Sequence, residues 1–254
     1  MTSTEMNPMR MLGSGGQGYC YDFDRGLFAG AEGLLDGPLV IALDSNVLID
    51  IESHGMELFD DNLGDSIPQK SRSNLIALAD LLEAWLVRDI RFIVVPPTRE
   101  DFKRTPTPDR LRSRDRFFSA VEEALTFQLD DWGEAEDRLA WTREPDLAVA
   151  QALMRVPDDL DRAMVEGAWA CGADVFLTQD RRLLSAMKSF PEGFPNVCSP
   201  ADLSARLFAA SSLASAVGPT WLTSGTVSHS DCHWAGGLPF GDTGKWGKLL
   251  EALA

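Results

Sequence analysis

Asp44-Ser45-Asn46, Glu100-Asp101, Asp161 and Asp180 are the residues of this chain whose types and spacing could do chemistry. Carboxylates from separate segments repel one another if folding gathers them, and cations placed between them remove that repulsion. Hard oxygen donors of this kind suit magnesium or manganese. Such a site can acidify a bound water and stabilise the charge that builds when a phosphodiester is cleaved. Each acid also has an ordinary reading. Asp158, Asp159 and Asp161 are all good helix N-caps, Asp180 could cap the helix after it, and Asp101 could be surface charge. Asp44 is the hardest to explain away. It ends a buried apolar run, where an unpartnered carboxylate is expensive.

The elements that must position these acids follow from the apolar pattern. Leu39-Val40-Ile41-Ala42-Leu43 is an uninterrupted run that fits a strand buried on both faces, ending near Asp44, with a helix from about Val47. Leu75, Leu78, Leu82 and Leu86 fall on one face of a second helix. Arg91 to Val95 reads as a second buried strand stopped by Pro96-Pro97, and Thr98 is an N-cap candidate for the helix carrying Glu100 and Asp101. After the break Thr105-Pro106-Thr107-Pro108, helical patterns fill roughly 109–130, 132–142 and 146–155. A helix opens at Asp158-Asp159-Leu160-Asp161 and ends at Gly172. Asp174 to Thr178 is a third strand, a helix starts at about Arg181, Phe194 to Cys198 is an edge strand, and Ser199-Pro200 starts a last helix.

Strands alternating with helices indicate an α/β fold around a parallel sheet of four or five strands. All carboxyl ends then share one edge, the edge where open α/β sheets bind ligands. Asp44 and Asp180 should be neighbours there, with Glu100 and Asp101 close by. Asp161 opens a helix that precedes a strand; such a start is expected near the opposite edge, so this residue needs a long helix running back or an irregular start.

Composition sets the outer bounds. Hydrophobic residues at 44% and charged residues at 24% describe a globular chain, and no apolar run approaches membrane-spanning length. The N-terminal region lacks a basic-then-apolar signal pattern, which gives a cytoplasmic location by default. Four scattered cysteines suggest reduced thiols. A net charge of −16 is awkward for nucleic-acid binding unless acids cluster at a metal site and basic residues gather elsewhere.

Two segments carry a family resemblance. Leu43-Asp44-Ser45-Asn46-Val47-Leu48-Ile49-Asp50 resembles the opening motif of PIN domains, where an Asp, a small hydroxyl residue and Asn or Ser follow the first strand. Asp161-Arg162-Ala163 through Gly172-Ala173-Asp174-Val175-Phe176-Leu177-Thr178-Gln179-Asp180 resembles the second half of that family, and Val197 to Leu203 its final strand and helix. The resemblance covers about 39–205. It implies a three-layer α/β sandwich and a magnesium- or manganese-dependent nuclease, most often an endoribonuclease, with Asp44, Asp161 and Asp180 holding the metal. It also implies that the acid matching Asp161 shares the cleft. Ser45 and Asn46 would support the first carboxylate or the bound water. One further acid would act as ligand or base, with Asp101 preferred and Glu100 second, because the family usually places a Glu deeper in that helix.

On this reading residues 1–37 are an N-terminal extension. Residues 38–207 form the nuclease domain with a helical insertion around 103–156, and 208–254 form a C-terminal extension. The insertion makes the chain longer than the compact toxin nucleases of bacterial toxin–antitoxin pairs. RNA is the implied substrate; an antitoxin or other protein partner and a homodimer are the further partners to consider, and a membrane is not expected. Lys103 and Arg104, the start of a basic stretch with Arg110, Arg112, Arg114 and Arg116, are candidates for holding the substrate backbone, as is Arg181. Their alternative is a solvated helix face with Asp109 and Asp115 interleaved.

Two other functions compete. A catalytically degenerate PIN-like module would bind RNA or a protein without cutting. A haloacid-dehalogenase-type phosphatase also has an Asp after its first strand, but it needs a second Asp where Asn46 stands. Minor motifs are weak. Gly13 to Gly18 lacks the Lys-Ser/Thr ending of a phosphate loop; His229, Cys232 and His233 beside Asp231 lack a spaced fourth zinc ligand; and Asp242-Thr243-Gly244-Lys245 is followed by Trp246. Three histidines in all argue against His-based acid–base catalysis. Trp85 and Trp169 sit in helical stripes and read as core.

Overall fold

Every residue of the apolar run Leu39–Leu43 is buried, as a strand covered on both faces requires. The computed structural model describes residues 10–11, 18–19, 39–59, 63–64, 67–87, 90–104, 107–126, 143–188, 191 and 193–207. Two short strands, β1 (Arg10–Met11) and β2 (Gly18–Tyr19), pair antiparallel by themselves. The main sheet is built from β3 (Leu39–Leu43), β4 (Ile90–Ile93), β5 (Val175–Leu177) and β6 (Asn196–Cys198). All its pairings are parallel, in the order β4-β3-β5-β6.

Side chains of β3 alternate between two apolar clusters. Leu39, Ile41 and Leu43 join α1 (Ser45–Phe59), α2 (Gln69–Val87), α4 (Pro108–Thr126) and α8 (200–207) on one face. Val40 and Ala42 join α5 (Leu147–Leu153), α6 (Asp159–Ala170) and α7 (Arg181–Ala186) on the other. The protein is thus an α/β fold with helices on both faces of a four-stranded parallel sheet, compatible with three layers. No helix among the described residues is long and apolar enough to cross a membrane. Cys171 and Cys198 are buried thiols, and Trp169 is core. The segments 132–142 and 208–254, with the His229–His233 and Asp242–Lys245 motifs, lie outside the described residues, as does the Trp85 side chain.

The connections make the site. From β3 the chain moves to β4 on one side, whereas from β5 it moves to β6 on the other. Adjacent strands whose connections diverge open a crevice at their carboxyl ends, here between β3 and β5. Asp44 N–H donates to Leu177 O (3.0 Å) and Thr178 N–H to Cys198 O (3.0 Å), carrying the ladder up to that edge. Asp174 secures the opposite edge, accepting from Val40 N–H through Oδ2 (2.9 Å) while its own N–H donates to Val40 O (2.9 Å).

The sequence expectation for Asp161 is corrected by the direction of α6. A helix between two parallel strands runs antiparallel to them, so its start lies at their carboxyl edge and its end where the next strand begins. Helix α6 does this in twelve regular residues. It closes on Gly172 (φ 71°), with Gly172 N–H bonded to Trp169 O and Ala173 N–H to Ala168 O, the Schellman pattern. In its second half, a Cβ on Gly167 would stand 3.3 Å from Val95 Cβ, so the missing side chain lets α6 pass close to the exit of β4.

A second correction concerns α3 (Pro96–Phe102). Val95, not Thr98, occupies the cap position; the two prolines start the helix, where their missing N–H costs nothing. Thr98 is instead fully buried inside it. Helix α1 likewise begins at Ser45, two residues before the apolar pattern resumes.

Candidate functional site

Asp44 is 2% exposed and is the hub of the crevice. Its backbone carbonyl accepts from Val47 and Leu48 N–H, so it caps α1, whose positive end favours a nearby carboxylate. Oδ2 accepts from the Thr178 hydroxyl and from Asn46 Nδ2 (2.6 Å), and Oδ1 faces the Ser45 hydroxyl at 3.3 Å. Burial nevertheless pushes the Asp44 carboxyl above its usual range, against those hydrogen bonds; the nearby Asp101 charge adds to the rise.

Asp101 enters from α3 and accepts from Ser45 Oγ at 2.5 Å. Helical geometry explains why it, rather than Glu100, faces the crevice. Phe102 is completely buried between Phe117 and Phe118, with ring centroids at 5.7 and 6.1 Å. Successive helical residues are rotated by about 100°, so Asp101 lies at the flank of the core and Glu100 beyond it. Glu100 is exposed.

Asp180 caps α7: its Oδ1 accepts from Arg182 N–H (2.6 Å) and Leu183 N–H (3.4 Å). The ordinary reading of this acid is correct for one of its oxygens. Asp158 likewise caps α6 through the N–H groups of Leu160 and Asp161. That leaves the half-buried Asp161 carboxylate unused in capping. Its pKa is pushed up to about 6, first by burial and then by the charges of Asp44, Asp158, Asp180 and Asp101. Asp161 therefore lies within electrostatic reach of Asp44, Asp101 and Asp180, which come from three other segments.

Among the described residues, no three His, Cys, Asp or Glu side chains close on a point as the ligands of a held ion do. Like charges in mutual reach spread apart and take hydroxyl and amide partners instead, which is what Asp44 and Asp101 do. The donor set still suits a hard divalent cation. It consists of oxygens alone, and the raised Asp44 and Asp161 carboxyls are groups whose ionised form a cation would stabilise.

Sequence reasoning gave no role to four residues that hold this arrangement, Thr178, Gln179, Asp50 and Asn74. Thr178 is fully buried and, besides serving Asp44, accepts from Asp180 N–H (3.0 Å) and Asn46 Nδ2 (3.2 Å). Gln179 donates its backbone N–H to Asn46 Oδ1 (3.0 Å) and its side-chain amide to Asp50, while Asn74 donates to Gln179 Oε1 (3.4 Å). The Asp50 carboxyl is also raised, chiefly by burial. A hydroxyl just beyond β5 was the available signal for Thr178; nothing local marks the Gln179–Asp50 pair.

The basic stretch divides. Arg114 is buried and structural: it donates to Phe102 O (2.5 Å) and Arg104 O (3.1 Å), and its Nε faces Glu52 at 3.4 Å. Lys103 pairs with Asp115 (2.5 Å) and Arg112 with Asp109, the interleaved acids of the same stretch. Arg104 remains exposed, 3.9 Å from Asp101, and Arg181 is exposed immediately after Asp180.

The raised carboxyls predict a pH dependence of stability. A carboxyl whose folded pKa lies above its unfolded value binds more protons in the folded chain, so stability falls as pH rises between the two values. For Asp161 that window runs from about pH 4 to about pH 6. The metal-free protein should therefore melt at a higher temperature at pH 5 than at pH 7, and Asp161→Asn should flatten the difference. Melts of both proteins across this range test it; an unchanged slope in the variant contradicts the assignment.

No family model, curated protein or solved structure matches the chain.

Proposed function

We propose that this protein is a PIN-like, metal-dependent endoribonuclease that hydrolyses RNA phosphodiester bonds. The observation that carries the reading is that hydrogen bonds through Ser45 and Thr178 tie Asp44 to Asp101 and to Asp180 beside the β3/β5 switch point, with Asp161 in electrostatic reach of all three. Asp44, Asp161 and Asp180 would hold magnesium or manganese. The chemistry such an ion supplies is charge stabilisation on the phosphate and a more acidic water.

The chain's own residues have separable tasks. Thr178 and Asn46 orient the Asp44 carboxylate through its Oδ2. Ser45 donates its hydroxyl to Asp101 while lying 3.3 Å from Asp44 Oδ1, and so holds Asp101 beside Asp44. Asp161 would complete the ligand set of the ion or orient the attacking water, and Asp101 would serve as a further ligand or as the base. Arg104 and Arg181 flank the crevice, where a substrate backbone carrying negative charge would approach.

Incubating the protein with mixed RNA in magnesium or manganese tests the reading directly. Cleavage that disappears in Asp44→Asn supports it. Metal-dependent RNA binding without cleavage would favour the non-catalytic PIN-like module, and neither binding nor cleavage would remove both. The geometry of α3 adds a sharper expectation. Asp101→Asn should reduce cleavage roughly tenfold or more, whereas Glu100→Gln should stay within about twofold of the parent. Equal losses in both would mean that α3 is not rotated as described.

A further inference from the structure

A groove of about 430 Å³ opens beside the acidic crevice, lined by α7, β6 and the start of α8. It shares Arg181 with the edge of the crevice, while the carboxylates of Asp44, Asp101 and Asp161 do not line it. Its size is that of a small-ligand site. Arg181 at the start of α7 and Lys188 just past its end supply two exposed cations to the lining. Among the described residues neither forms an ion pair, which stands out in a chain of net charge −16. Leu184 and Val197, both half-buried, give the groove an apolar component. The lining also carries Asn196 and Asp202, the latter held by the Ser199 hydroxyl at 2.7 Å.

The geometry points to this groove as a nucleotide subsite that takes the segment of single-stranded RNA adjoining the phosphodiester to be cut. The inference rests on the nuclease reading for its position relative to the cut, and on the groove alone for the binding. The two cations match backbone phosphates. Apolar side chains match a base face, and the exposed Asp202 carboxylate matches the amino and imino donors of a base edge, which a single strand exposes and a duplex hides. Asp202 argues against a site for free phosphate, since a bare anion gains nothing from a carboxylate in the same groove. A strand leaving the crevice past Arg181 enters this groove without crossing the sheet.

The test uses full-length protein carrying Asp44→Asn, so that RNA is bound without being cut, and a fluorescent single-stranded RNA oligonucleotide as probe. Adding Lys188→Glu should weaken binding about tenfold and flatten its salt dependence. Adding Ser185→Trp, which fills the groove with no change of charge, should weaken it as well. Thermal melts identify any variant that fails to fold. Unaltered binding in both variants overturns the groove, and so does an absence of RNA binding in the parent. The two readings separate cleanly. If the wild type cuts nothing but binding depends on Lys188, the groove stands and the nuclease falls. If the wild type cuts RNA and neither substitution affects binding, the reverse holds.

Discussion

Asp44→Asn is expected to lower metal-dependent RNA cleavage by roughly a hundredfold or more while leaving the protein folded. The change removes one negative charge and almost no volume at the residue that touches Ser45, Asn46 and Thr178. Burial already disfavours the charged form of this carboxyl, so a neutral amide relieves a desolvation cost in the metal-free chain. Its melting temperature should equal or exceed that of the wild type without metal, and the rise that magnesium or manganese produces in the wild type should disappear. Asp44→Ala is a different perturbation. It takes away the acceptor of the buried Thr178 hydroxyl and one of the two acceptors of the Asn46 amide, which costs about 2 kcal/mol. Activity lost in both variants, with stability lost only in the alanine, assigns Asp44 to chemistry rather than to scaffolding. Cleavage retained by Asp44→Asn would end the proposal.

Arg114→Ala should destabilise the fold by roughly 3 kcal/mol, measured by denaturant titration. Arg114 is 7% exposed, and its guanidinium serves the backbone carbonyls of Phe102, the last residue of α3, and Arg104 just beyond it, faces Glu52, and lies 5.0 Å from the Phe102 ring centre. Truncation leaves those carbonyls and a partly buried glutamate without their cation. The same contacts fix the end of α3 next to Asp101, so cleavage should fall too, at temperatures where the variant is still folded. Arg114→Met keeps the packing of the stem and should recover part of the stability but little of the activity. A loss under about 0.5 kcal/mol would show that α4 does not anchor α3 in this way.

Much of the scaffold was legible because its signals are local. A five-residue apolar run has no alternative to a buried strand once helices flank it, and Gly172 ends α6 because a left-handed residue costs glycine nothing. Asp44 and Asp180 could be placed at one edge from chain direction alone. The placement of Asp161 went astray at a single step, the sense in which a crossover helix runs. The start of α3 was misjudged for a different reason: Pro96-Pro97 both ends a strand and begins a helix, and the sequence offers the two uses without ranking them.

The sequence by itself determined the parallel α/β class, the order of the elements, and the carboxylates available at the ends of β3 and β5, because strand burial and helix termini are written in short stretches of side chains. Only the tertiary structure decided that Asp101 rather than Glu100 turns inward, that Thr178 holds Asp44, and that Arg114 is spent on the fold while Arg104 and Arg181 stay exposed. Each of these choices depends on a contact between segments distant in the chain: Phe102 against α4, β5 beside β3, Glu52 across from Arg114. The rotation of a seven-residue helix is set by the core it meets, and no local pattern in those seven residues contains it.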